Sequence, residues 1–547
     1  MNNNSTNNSL VSLLENSLRR WGHRPMGQFT NGDQYYTYDS FGIQVKKVSA
    51  LLDNNLVSPT GKVAILAENM PNWTVAFFAV TTAGRVAVPI LPGSTQFEVE
   101  NIINHSESEA LIVSRKQLPK VSNLQSLKAV ILIDDFSSPH PQFTVHSSQF
   151  TVHRSPITVH RSQVTTNRSQ ITSQTLATII YTSGTSGNAK GVMLSHGNLY
   201  HSVLEARHAQ PATCRDRWLS ILPMAHAYEM AFGMLYPLSV GAAVYYLREM
   251  PTPSILIPAM KKVRPTIICS VPLVAEKLHK AILRRIDESP KLKWIQNHAP
   301  WLMFTLIGIT LKKQTGGKIK FFGIGGAKLN PEVEEFLKKS HFNYAIGYGT
   351  TETAPLITNA CVHRTKVGSI GVPAYGVEVS LANVTPKTGI GEIIARGPNV
   401  MLGYFKDPER TASVLSQDGW YHTGDLASRD KFGRFYIKGR LGSMILGPSG
   451  ENIYPEEIEQ VINTFPCVIE SIVVKRDKQL VALIQLDETY KAGFNPSDSD
   501  KQALLVENIR DYVNKRVGAQ SQISSIQLMD QPFKKTATLK IRRYLYQ

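Results

Sequence analysis

From Lys62 onwards, short apolar runs alternate with longer amphipathic segments. The runs VAILA, RVAVPI, ALIVS and AVILID have the texture of buried strands, and NWTVAFFAVTTAG and FEVENIINH between them have the length and spacing of helices. The same alternation resumes at LATIIYTSGTSG and continues through PTIICSVPLVAEKLHKAIL and IKFFGIGGAKLNPEVEEFLKK. Because strands that alternate with helices form parallel sheets, the pattern predicts a large doubly wound α/β body over roughly residues 50–360.

The pattern changes in the last third of the chain. After Gly368 the segments GVEVSLA, GEIIARG and RFYIKGR are short and punctuated by Gly, which predicts an antiparallel β unit. Beyond Gly439, the segments PEEIEQVINTF, VIESIVVKRD and QLVALIQL and a helix near residues 501–517 predict a small α+β domain. We therefore expect a large domain over residues 1–440 and a small mobile C-terminal domain over residues 441–547.

A repeat interrupts the α/β pattern at residues 142–169, where QFTVHSS, QFTVHRS, PITVHRS and QVTTNRS follow one another. The units lack two apolar positions at helical spacing, so they do not form a coiled coil, and their Thr, Val and Ser favour extended chain. We predict that residues 137–172 are a surface-exposed insertion. A basic binding segment carrying Arg154, Arg161 and Arg168 is the alternative.

Composition narrows the protein class. The chain has 547 residues, of which 42% are hydrophobic and 18% charged, which excludes disorder over most of its length. Its formal net charge of +17 favours polyanions such as nucleotides, phosphorylated cofactors or anionic lipid. No nucleic-acid recognition module is visible, so no nucleic-acid partner is expected. The four cysteines form no CxxC pair, which predicts four buried, reduced thiols.

The N-terminal residues and the longest apolar run predict where in the cell the protein is located. The N-terminal residues lack the basic start, apolar core and cleavage site of a secretory signal, which predicts a cytoplasmic protein. The longest apolar run, residues 301–311, is shorter than the roughly 20 residues that span a bilayer. We predict a core segment there, with peripheral contact on the inner face of the membrane as the alternative.

A phosphate-binding loop is predicted at residues 181–192, YTSGTSGNAKGV, directly after the apolar strand LATII. Its Gly, Ser and Thr residues and its Lys offer the backbone amides, hydroxyls and single cation that a polyphosphate requires. The loop is not a Walker motif, because Gly191 stands where GxxxxGK[ST] requires Ser or Thr after Lys190.

This loop resembles the signature loop of the adenylate-forming (AMP-binding) superfamily of acyl-CoA synthetases. The segments that continue the resemblance in chain order are PMAHAYE, GIGGAKL, GYGTTETAP, GWYHTGDLA, GRLGSMILGPSGENIYPEEIE and PFKKTATLKIRR. PMAHAYE and GPSGENIYPEEIE are most similar to the long-chain fatty acid branch. The resemblance implies that a fatty acid attacks the α-phosphate of ATP, that pyrophosphate leaves, and that CoA then takes the acyl group from acyl-AMP.

The resemblance also implies the cofactors and the site residues. ATP, Mg²⁺ and CoA are the expected cofactors and a long-chain fatty acid the expected substrate. Catalytic roles fall to Lys540, Thr351, Glu352 and His226, and metal binding to Thr185 and Glu352. The residues implied to bind the nucleotide and its phosphates are Thr182, Ser183, Gly184, Thr185, Ser186, Gly187, Lys190, Gly325, Gly326, Ala327, Tyr348, Gly349, Thr350, Asp425 and Arg440.

The implied roles differ from residue to residue. Lys540 bridges the carboxylate and the α-phosphate, with Lys534 and Lys535 as rivals. Asp425 accepts bonds from the ribose hydroxyls and Arg440 reaches the same sugar. His226 lies near the acyl carboxylate, with an ordinary core histidine as the alternative. A hydrophobic acyl tunnel is expected between residues 225–240 and 300–360.

The sequence departs from the common pattern at three positions: Ala189 replaces a frequent Pro, Leu539 a Gly, and Gly442 the usual Asp or Lys of the hinge. Glycine at the hinge still permits the domain rotation that the resemblance implies between the two half-reactions. Two alternatives therefore stay open. Acyl carrier protein could replace CoA as the acceptor, or the chain could be a catalytically silent acyl- or nucleotide-binding protein.

Deletion of residues 137–172, with a short Gly-Ser linker in their place, tests the insertion hypothesis. Long surface insertions add little closure entropy, so we expect pyrophosphate release from ATP and fatty acid to stay within about twofold of the full chain. A folded deletion variant that has lost this activity would show that the repeats belong to the large domain.

Overall fold

The computed structural model describes residues 8–55, 57–121, 127–138, 170–183, 189–249, 251–446, 452–477, 479–487, 490, 499–536 and 540–546. The heptapeptide repeats lie outside these residues. So do Gly184, Thr185, Ser186 and Gly187 of the signature loop. The predictions made for them stay predictions.

The N-terminal part of the chain alternates helices and strands as its apolar pattern predicts. Side-chain caps at Ser9, Thr37 and Thr95 accept bonds from backbone amides and so fix where three of the helices begin. The elements are α1 (Leu10–Trp21), β1 (Pro25–Phe29), β2 (Tyr36–Thr37), α2 (Tyr38–Asn54), β3 (Lys62–Leu66), α3 (Pro71–Thr81), β4 (Val86–Ile90), α4 (Gln96–Ser106), β5 (Ser108–Val113), β6 (Ala129–Leu132) and β7 (Leu176–Ser183).

The middle of the chain continues the alternation and adds a π-helix at Glu229–Leu235. The other elements are β8 (Ala189–Ser195), α5 (His196–Ala209), β9 (Arg217–Ser220), α6 (Tyr236–Val240), β10 (Ala243–Tyr246), α7 (Pro253–Val263), β11 (Ile267–Ser270), α8 (Pro272–Asp287), α9 (Pro290–His298), α10 (Pro300–Gln314), β12 (Phe321–Ile324), α11 (Pro331–Lys339) and β13 (Tyr344–Tyr348). Short 3₁₀ helices lie at Leu118–Lys120 and, after β13, at Thr351–Thr353.

The last part of the chain is richer in antiparallel strands. Its elements are β14 (Thr358–Ala360), β15 (Val372–Pro373), β16 (Glu378–Thr385), β17 (Ile390–Arg396), β18 (Gly403–Tyr404), α12 (Pro408–Val414), β19 (Tyr421–Arg429), β20 (Phe435–Arg440), β21 (Ile445–Leu446), β22 (Asn452–Ile453), α13 (Pro455–Ile462), β23 (Val468–Arg476), β24 (Gln479–Leu486), α14 (Ser499–Asn514) and β25 (Ser525–Leu528). Further 3₁₀ helices lie at Leu441–Ser443, Ala519–Ser521 and Arg543–Leu545.

Two large sheets form the α/β body. One has the strand order β15-β14-β13-β12-β11-β9-β10-β1-β2, and the other β18-β8-β7-β4-β3-β5-β6. Helix α3 contacts strands of both sheets, and its Trp73, Phe77 and Phe78 have no exposed surface. A helix that is apolar all round is stable only when it is buried, which explains its place between the sheets. The predicted doubly wound α/β fold is confirmed.

The α/β body begins earlier than residue 50, which corrects the predicted start. Leu10 of α1 and Phe41 and Leu52 of α2 are fully buried in its core. Strand β1 pairs in parallel with β10 of the first sheet. The N-terminal helices belong to this body because their apolar faces have no other surface on which to pack.

The C-terminal residues form a separate core. Strands β16, β17, β19 and β20 make the predicted antiparallel unit, and β20 ends at Arg440. Beyond it, β23, β24 and β25 form a sheet, and α13 and α14 pack with it around a core that contains Ile458, Ile484 and Ile509. These core residues all follow Arg440, and the boundary between residues 440 and 441 stays a prediction.

Two sequence predictions about burial need correction. Cys269 and Cys467 are buried thiols as predicted, but Cys214 and Cys361 are partly exposed. The apolar run at residues 301–311 is helical and buried on one face only, because Trp301 and Ile309 keep 73% and 60% of their surface exposed. Among the described residues, no helix combines the length and apolarity that a bilayer crossing needs.

Candidate active site

The first large sheet brings three of the predicted segments to one edge. Strands β11, β12 and β13 are parallel, so their carboxyl ends lie side by side, which is where ligands bind in open α/β sheets. Gly325 follows β12, and Gly349 and Thr350 follow β13 directly. Thr351 and Glu352 come next, in the 3₁₀ helix.

Two glycines at this edge have conformations or neighbours that exclude a side chain. A Cβ on Gly349 would lie 1.7 Å from the carbonyl oxygen of Pro355, so the chain closes tightly only with glycine there. Gly326 has φ +86°, in the left-handed region, and is exposed together with Ala327. The exposed backbone at Gly326 and Ala327 gives a flat ligand such as a purine ring an open surface.

Asp425 connects this edge to the antiparallel unit. Only 5% of its surface is exposed. Its Oδ2 accepts a hydrogen bond of 2.7 Å from the Tyr348 hydroxyl, and its Oδ1 accepts one of 2.9 Å from Arg440 Nε. Burial and the neighbouring Asp425 raise the pKa of Tyr348 well above its usual range, so the hydroxyl stays a donor. The carboxylate is therefore held in a fixed orientation.

Glu352 and Lys190 form a buried ion pair. Lys190 Nζ lies 2.6 Å from Glu352 Oε1 and 2.7 Å from the Tyr404 hydroxyl, which also donates to the same Oε1 at 2.9 Å. Burial alone would raise the pKa of Glu352, but the charge and hydrogen bond of Lys190 outweigh it, so the pKa lies below its usual value. Glu352 is consequently an anion at neutral pH.

The hairpin of the signature loop presents polar groups beside this pair. Thr182 of β7 lies opposite Lys190 of β8 in the hairpin. The Thr182 Oγ1 is buried and has no hydrogen-bond partner among the described residues. An orphaned hydroxyl next to a lysine fits a phosphate oxygen, so the residues present are suited to ATP. Ser183 ends β7, and the loop beyond it is outside the described chain.

Lys540 faces the same cleft from the small domain. Although its side chain is exposed, the surrounding protein and the charge of Arg440 lower its pKa, while Asp425 and Glu352 raise it. Its rival Lys535 lies 2.7 Å from Glu470 Oε2 within the small domain. The charges of Arg440, Asp425 and Glu352 thus act on Lys540, whereas Lys535 pairs with Glu470.

His226 lies in the loop after β9 and is partly buried. Its Nδ1 accepts a hydrogen bond from the Tyr228 amide at 3.2 Å. Burial and the neighbouring charge of Lys540 lower its pKa to about 4. The imidazole is therefore neutral at pH 7, and its place near the acyl carboxylate stays a prediction.

An ion pair to helix α4 lies two residues after Lys540. Thr536 N donates to the Lys540 carbonyl, and the same hairpin carries Arg542, whose Nη2 lies 2.6 Å from Glu98 Oε1 on α4. The next residue, Arg543, makes a two-pronged pair with Glu459 of α13 at 2.7 and 2.6 Å. Arg542 thus connects the hairpin to the large domain, and Arg543 connects it to the small domain.

The sequence analysis missed Tyr404, Glu98, Arg542 and Glu392. Glu392 accepts from the Gly424 amide at 2.9 Å and contacts His422 Nδ1 at 2.8 Å, which fixes the turn before Asp425. No local signal marks Tyr404, Glu98 or Glu392, because each acts on a partner that is distant in sequence. The IRR letters after Lys540 were the one available sign for Arg542.

The predicted acyl tunnel is only partly visible. Between residues 225–240 and the sheet, Trp218, Phe232 and Cys269 line a gap of about 10 Å³, which is room for about one water molecule. A larger cavity of about 230 Å³ lies among α8, α9, α10 and α11, where Met303, Ile307 and Phe336 line it. The gap near Phe232 is too small for a chain of methylene groups, and the acyl tunnel stays a prediction.

Magnesium binding rests on few protein ligands. Within the part of the chain that the structure describes, no three His, Cys, Asp or Glu side chains cluster as a metal cage. Mg²⁺ is ordinarily bound by one or two carboxylates together with substrate phosphates. Glu352 beside the phosphate-binding hairpin fits that donor set, and Thr185 is outside the described residues.

Comparisons with known proteins decide the family. The model of the AMP-binding enzyme family matches residues 14–405. The chain belongs to the AMP-binding enzyme family. Solved structures of this AMP-binding type share its fold. One is o-succinylbenzoate coenzyme A synthetase from Bacillus subtilis in complex with ATP and magnesium ion, at 22% identity and a TM-score of 0.74 over 97% of this chain and 98% of that chain.

Curated relatives of this AMP-binding enzyme include two proteins with different acceptors in their names. A long-chain-fatty-acid–[acyl-carrier-protein] ligase of Arabidopsis thaliana is 28% identical over 88% of this chain and 77% of its own. A long-chain-fatty-acid–CoA ligase of Rattus norvegicus is 28% identical over 83% of this chain and 70% of its own. These relatives agree with the predicted long-chain branch.

The neutral state of His226 predicts a pH effect on stability. An unfolded histidine has a pKa near 6.5 and His226 one of about 4, so protons stabilise the unfolded state and stability falls as pH drops below about 6.5. Between pH 7.5 and 5.0 we expect this group to cost about 2 kcal/mol. In His226→Asn, urea unfolding should show a correspondingly smaller loss. His279→Asn is the matched control, because it removes a histidine whose pKa is also about 4 but which is not one of the predicted site residues. If wild type and His226→Asn lost the same stability between pH 7.5 and 5.0, the lowered pKa assigned to His226 would be contradicted.

The pair between Arg542 and Glu98 predicts that a remote change affects the first half-reaction. Glu98→Gln keeps a capping side chain at the start of α4 and removes only the charge. We expect ATP–pyrophosphate exchange to slow by up to about fivefold, with thioester formation from supplied acyl-AMP unchanged. Glu378→Gln, which breaks an exposed pair with Arg396, is the control. A Glu98→Gln enzyme that exchanges pyrophosphate at the wild-type rate would show that the pair does not position Lys540.

Proposed function

We propose that this AMP-binding enzyme is a long-chain fatty acid–CoA ligase that forms acyl-AMP. The observation that carries the proposal is that Asp425 is held by Arg440, that Glu352 is held by Lys190, and that both carboxylates act on the charge of Lys540. These residues come from distant parts of the chain and from both domains. Their chemistry matches a nucleotide that reacts at its α-phosphate.

Asp425 and Lys540 have different roles in the first step: Asp425 binds the nucleotide and Lys540 stabilises charge. Asp425, held by Tyr348 and Arg440, accepts the ribose hydroxyls and so fixes the nucleotide. A fatty acid carboxylate oxygen then bonds to the α-phosphorus while the bond to the β-phosphate oxygen breaks and pyrophosphate leaves. Negative charge grows on the α-phosphate oxygens, and the Lys540 ammonium stabilises it there. Thr351, at the start of the 3₁₀ helix, is placed to donate to the same phosphate.

The Glu352–Lys190 pair prepares the site for charged ligands. Each side chain neutralises the other in the absence of ligand, which lets both remain in a buried position. Phosphates attract Lys190, and Glu352 becomes free to hold Mg²⁺, together with Thr185 as the resemblance implies. When bound, the metal neutralises charge on the phosphates that leave. Thr182 supplies a hydroxyl to the same phosphates.

The second step requires the small domain to move. The CoA thiolate attacks the acyl carbon, and AMP leaves with one oxygen of the original carboxylate. We assign the hinge to Gly442 in the 3₁₀ helix after Arg440, where an added Cβ would have no atom of the described chain within 4 Å. The Arg542–Glu98 pair breaks in this rotation, so Lys540 leaves the cleft.

The acceptor has a second candidate. An acyl carrier protein is acidic, and the net charge of +17 suits such a partner. One of the curated relatives carries that acceptor in its name. We retain carrier protein as the alternative to CoA.

A pair of lysine variants tests the assignment of Lys540. Lys540→Ala should lower pyrophosphate release by about 100-fold or more, because a charge that stabilises the transition state is lost. Lys535→Ala, which removes a lysine of the same hairpin that pairs with Glu470, should stay within about twofold of wild type. Full activity in Lys540→Ala together with loss in Lys535→Ala would reverse the assignment.

The substrate and the acceptor are tested in one assay. Pyrophosphate release is measured with ATP, Mg²⁺ and acids from acetate to oleate, with CoA or carrier protein as the only thiol, and the products are identified by mass. The proposal predicts acyl-CoA from long-chain acids. Acyl-AMP that transfers only to carrier protein would favour the second candidate. Release of no pyrophosphate from any acid would make the protein a silent binder.

A further inference from the structure

The outer surface of α9 and α10 is unusual for a protein surface. Trp294 on α9 is 62% exposed, and Trp301 and Ile309 on α10 are 73% and 60% exposed. We call the surface that these three residues define the α9–α10 face. Residues 300–311 of α10 contain no charged residue. Exposed apolar residues that share a face of one helix, and are not scattered singly, mark an interaction site.

The exposed residues of α10 recur at helical spacing, so they lie on one side of the helix. Met303, Ile307 and Leu311 recur every fourth residue and are buried, whereas Trp301, Thr305 and Ile309 recur with the same spacing on the outer side. A surface helix normally has charged or polar residues on its outer side. The outer side of α10 instead carries Trp301 and Ile309 with one polar residue between them, Thr305, whose hydroxyl donates to the Trp301 carbonyl, so this stretch is suited to an apolar environment.

Positive charge surrounds the α9–α10 face. Residues 289–320 contain six lysines and no acidic residue. Lys291 precedes the face on α9, Lys312 and Lys313 end α10, and Lys318 follows, all of them exposed. The nearest acidic residues along the chain, Asp287 and Glu288, already pair with Lys293 and Arg284. Lys293 and Lys320 pair with aspartates, and the four exposed lysines just named give the segment that carries the apolar centre a net positive charge, which we call the positive rim.

We propose that the α9–α10 face docks the protein on a lipid bilayer that contains anionic lipid. Indole side chains favour the headgroup level, where the apolar ring and the polar N–H both find partners. Helix α10 has 15 residues and is about 22 Å long, so it lies along the bilayer surface with Ile309 facing the acyl chains. Lys312 and Lys313 in the last turn of α10, together with Lys291 on α9, contact anionic headgroups.

Two other occupants fit the surface less well. A second copy of the chain would bring two positive rims together, and like charges repel. An acidic protein would satisfy the lysines, but it would require an apolar surface of its own to cover two tryptophans and an isoleucine. A bilayer supplies negative charge and apolar volume at the same time. Docking would also bring the enzyme to the phase into which long-chain acids partition, although the proposal does not depend on which acid is activated.

Vesicle flotation of the full chain tests the proposal. We expect the protein to float with phosphatidylcholine vesicles that contain phosphatidylglycerol, and to float much less with phosphatidylcholine alone. Lys312→Gln with Lys313→Gln should reduce binding to the anionic vesicles by at least about tenfold, at roughly fivefold for each lysine near the surface. Lys46→Gln with Lys47→Gln, an adjacent exposed pair on α2, is the charge-matched control and should bind as wild type.

A second pair of variants tests the apolar centre. Trp301→Gln with Ile309→Gln should abolish flotation, whereas Phe432→Gln, which removes an aromatic ring that is 66% exposed elsewhere, should not. Circular dichroism confirms folding, and Trp294→Gln on the neighbouring helix serves if the double variant does not fold. Equal flotation of all variants would overturn the proposal. So would a concentration-dependent dimer of wild type, by sedimentation, that Trp301→Gln with Ile309→Gln abolishes, or flotation that does not depend on anionic lipid.

Discussion

A carboxylate that is almost fully removed from water must be compensated by fixed partners, and at Asp425 those partners organise the candidate site. Its two oxygens are bonded by Tyr348, at the end of a strand of the first large sheet, and by Arg440, at the end of the antiparallel unit. Loss of either partner would leave a buried charge partly unpaired, which is costly. The same carboxylate thus joins two sheets and is held in a fixed orientation for the ribose that we propose it binds.

The charges around Asp425 also act on Lys540, the lysine to which we propose a catalytic role. Lys540 lies near Arg440, which disfavours its charged form, and near Asp425 and Glu352, which favour it. Such a balance lets the lysine enter and leave the cleft without a large electrostatic cost. The Arg542–Glu98 pair, whose side chains are only partly buried, holds the entering position weakly enough to be exchanged.

Much of the fold could be predicted because patterns among neighbouring residues indicate its helices and strands. The alternation of apolar runs identified the α/β body, the antiparallel unit and the small domain. The motifs placed Asp425, Glu352 and Lys190 in order along the chain, although only the fold shows that they meet. Gly349 could be predicted as a site residue by resemblance, but the reason for its glycine, the carbonyl of Pro355, is visible only in the structure.

The remaining contacts were not predictable from the sequence because they join distant residues without a local pattern. Tyr404 reaches Glu352 across 52 residues, and Arg542 reaches Glu98 across 444. The prediction that residues 301–311 are buried was only partly correct, for a different reason. Their apolar composition predicts burial, and composition alone cannot distinguish a helix that is covered by protein from one whose outer side is left open.

The central claim is that a carboxylate oxygen attacks the α-phosphorus in this cleft, and an isotope measurement tests it most directly. A long-chain fatty acid labelled with oxygen-18 in its carboxyl group is converted with ATP, Mg²⁺ and CoA, and the products are analysed by mass. The account predicts one labelled oxygen in AMP. Label in inorganic phosphate, or thioester formed without label in AMP, would contradict it.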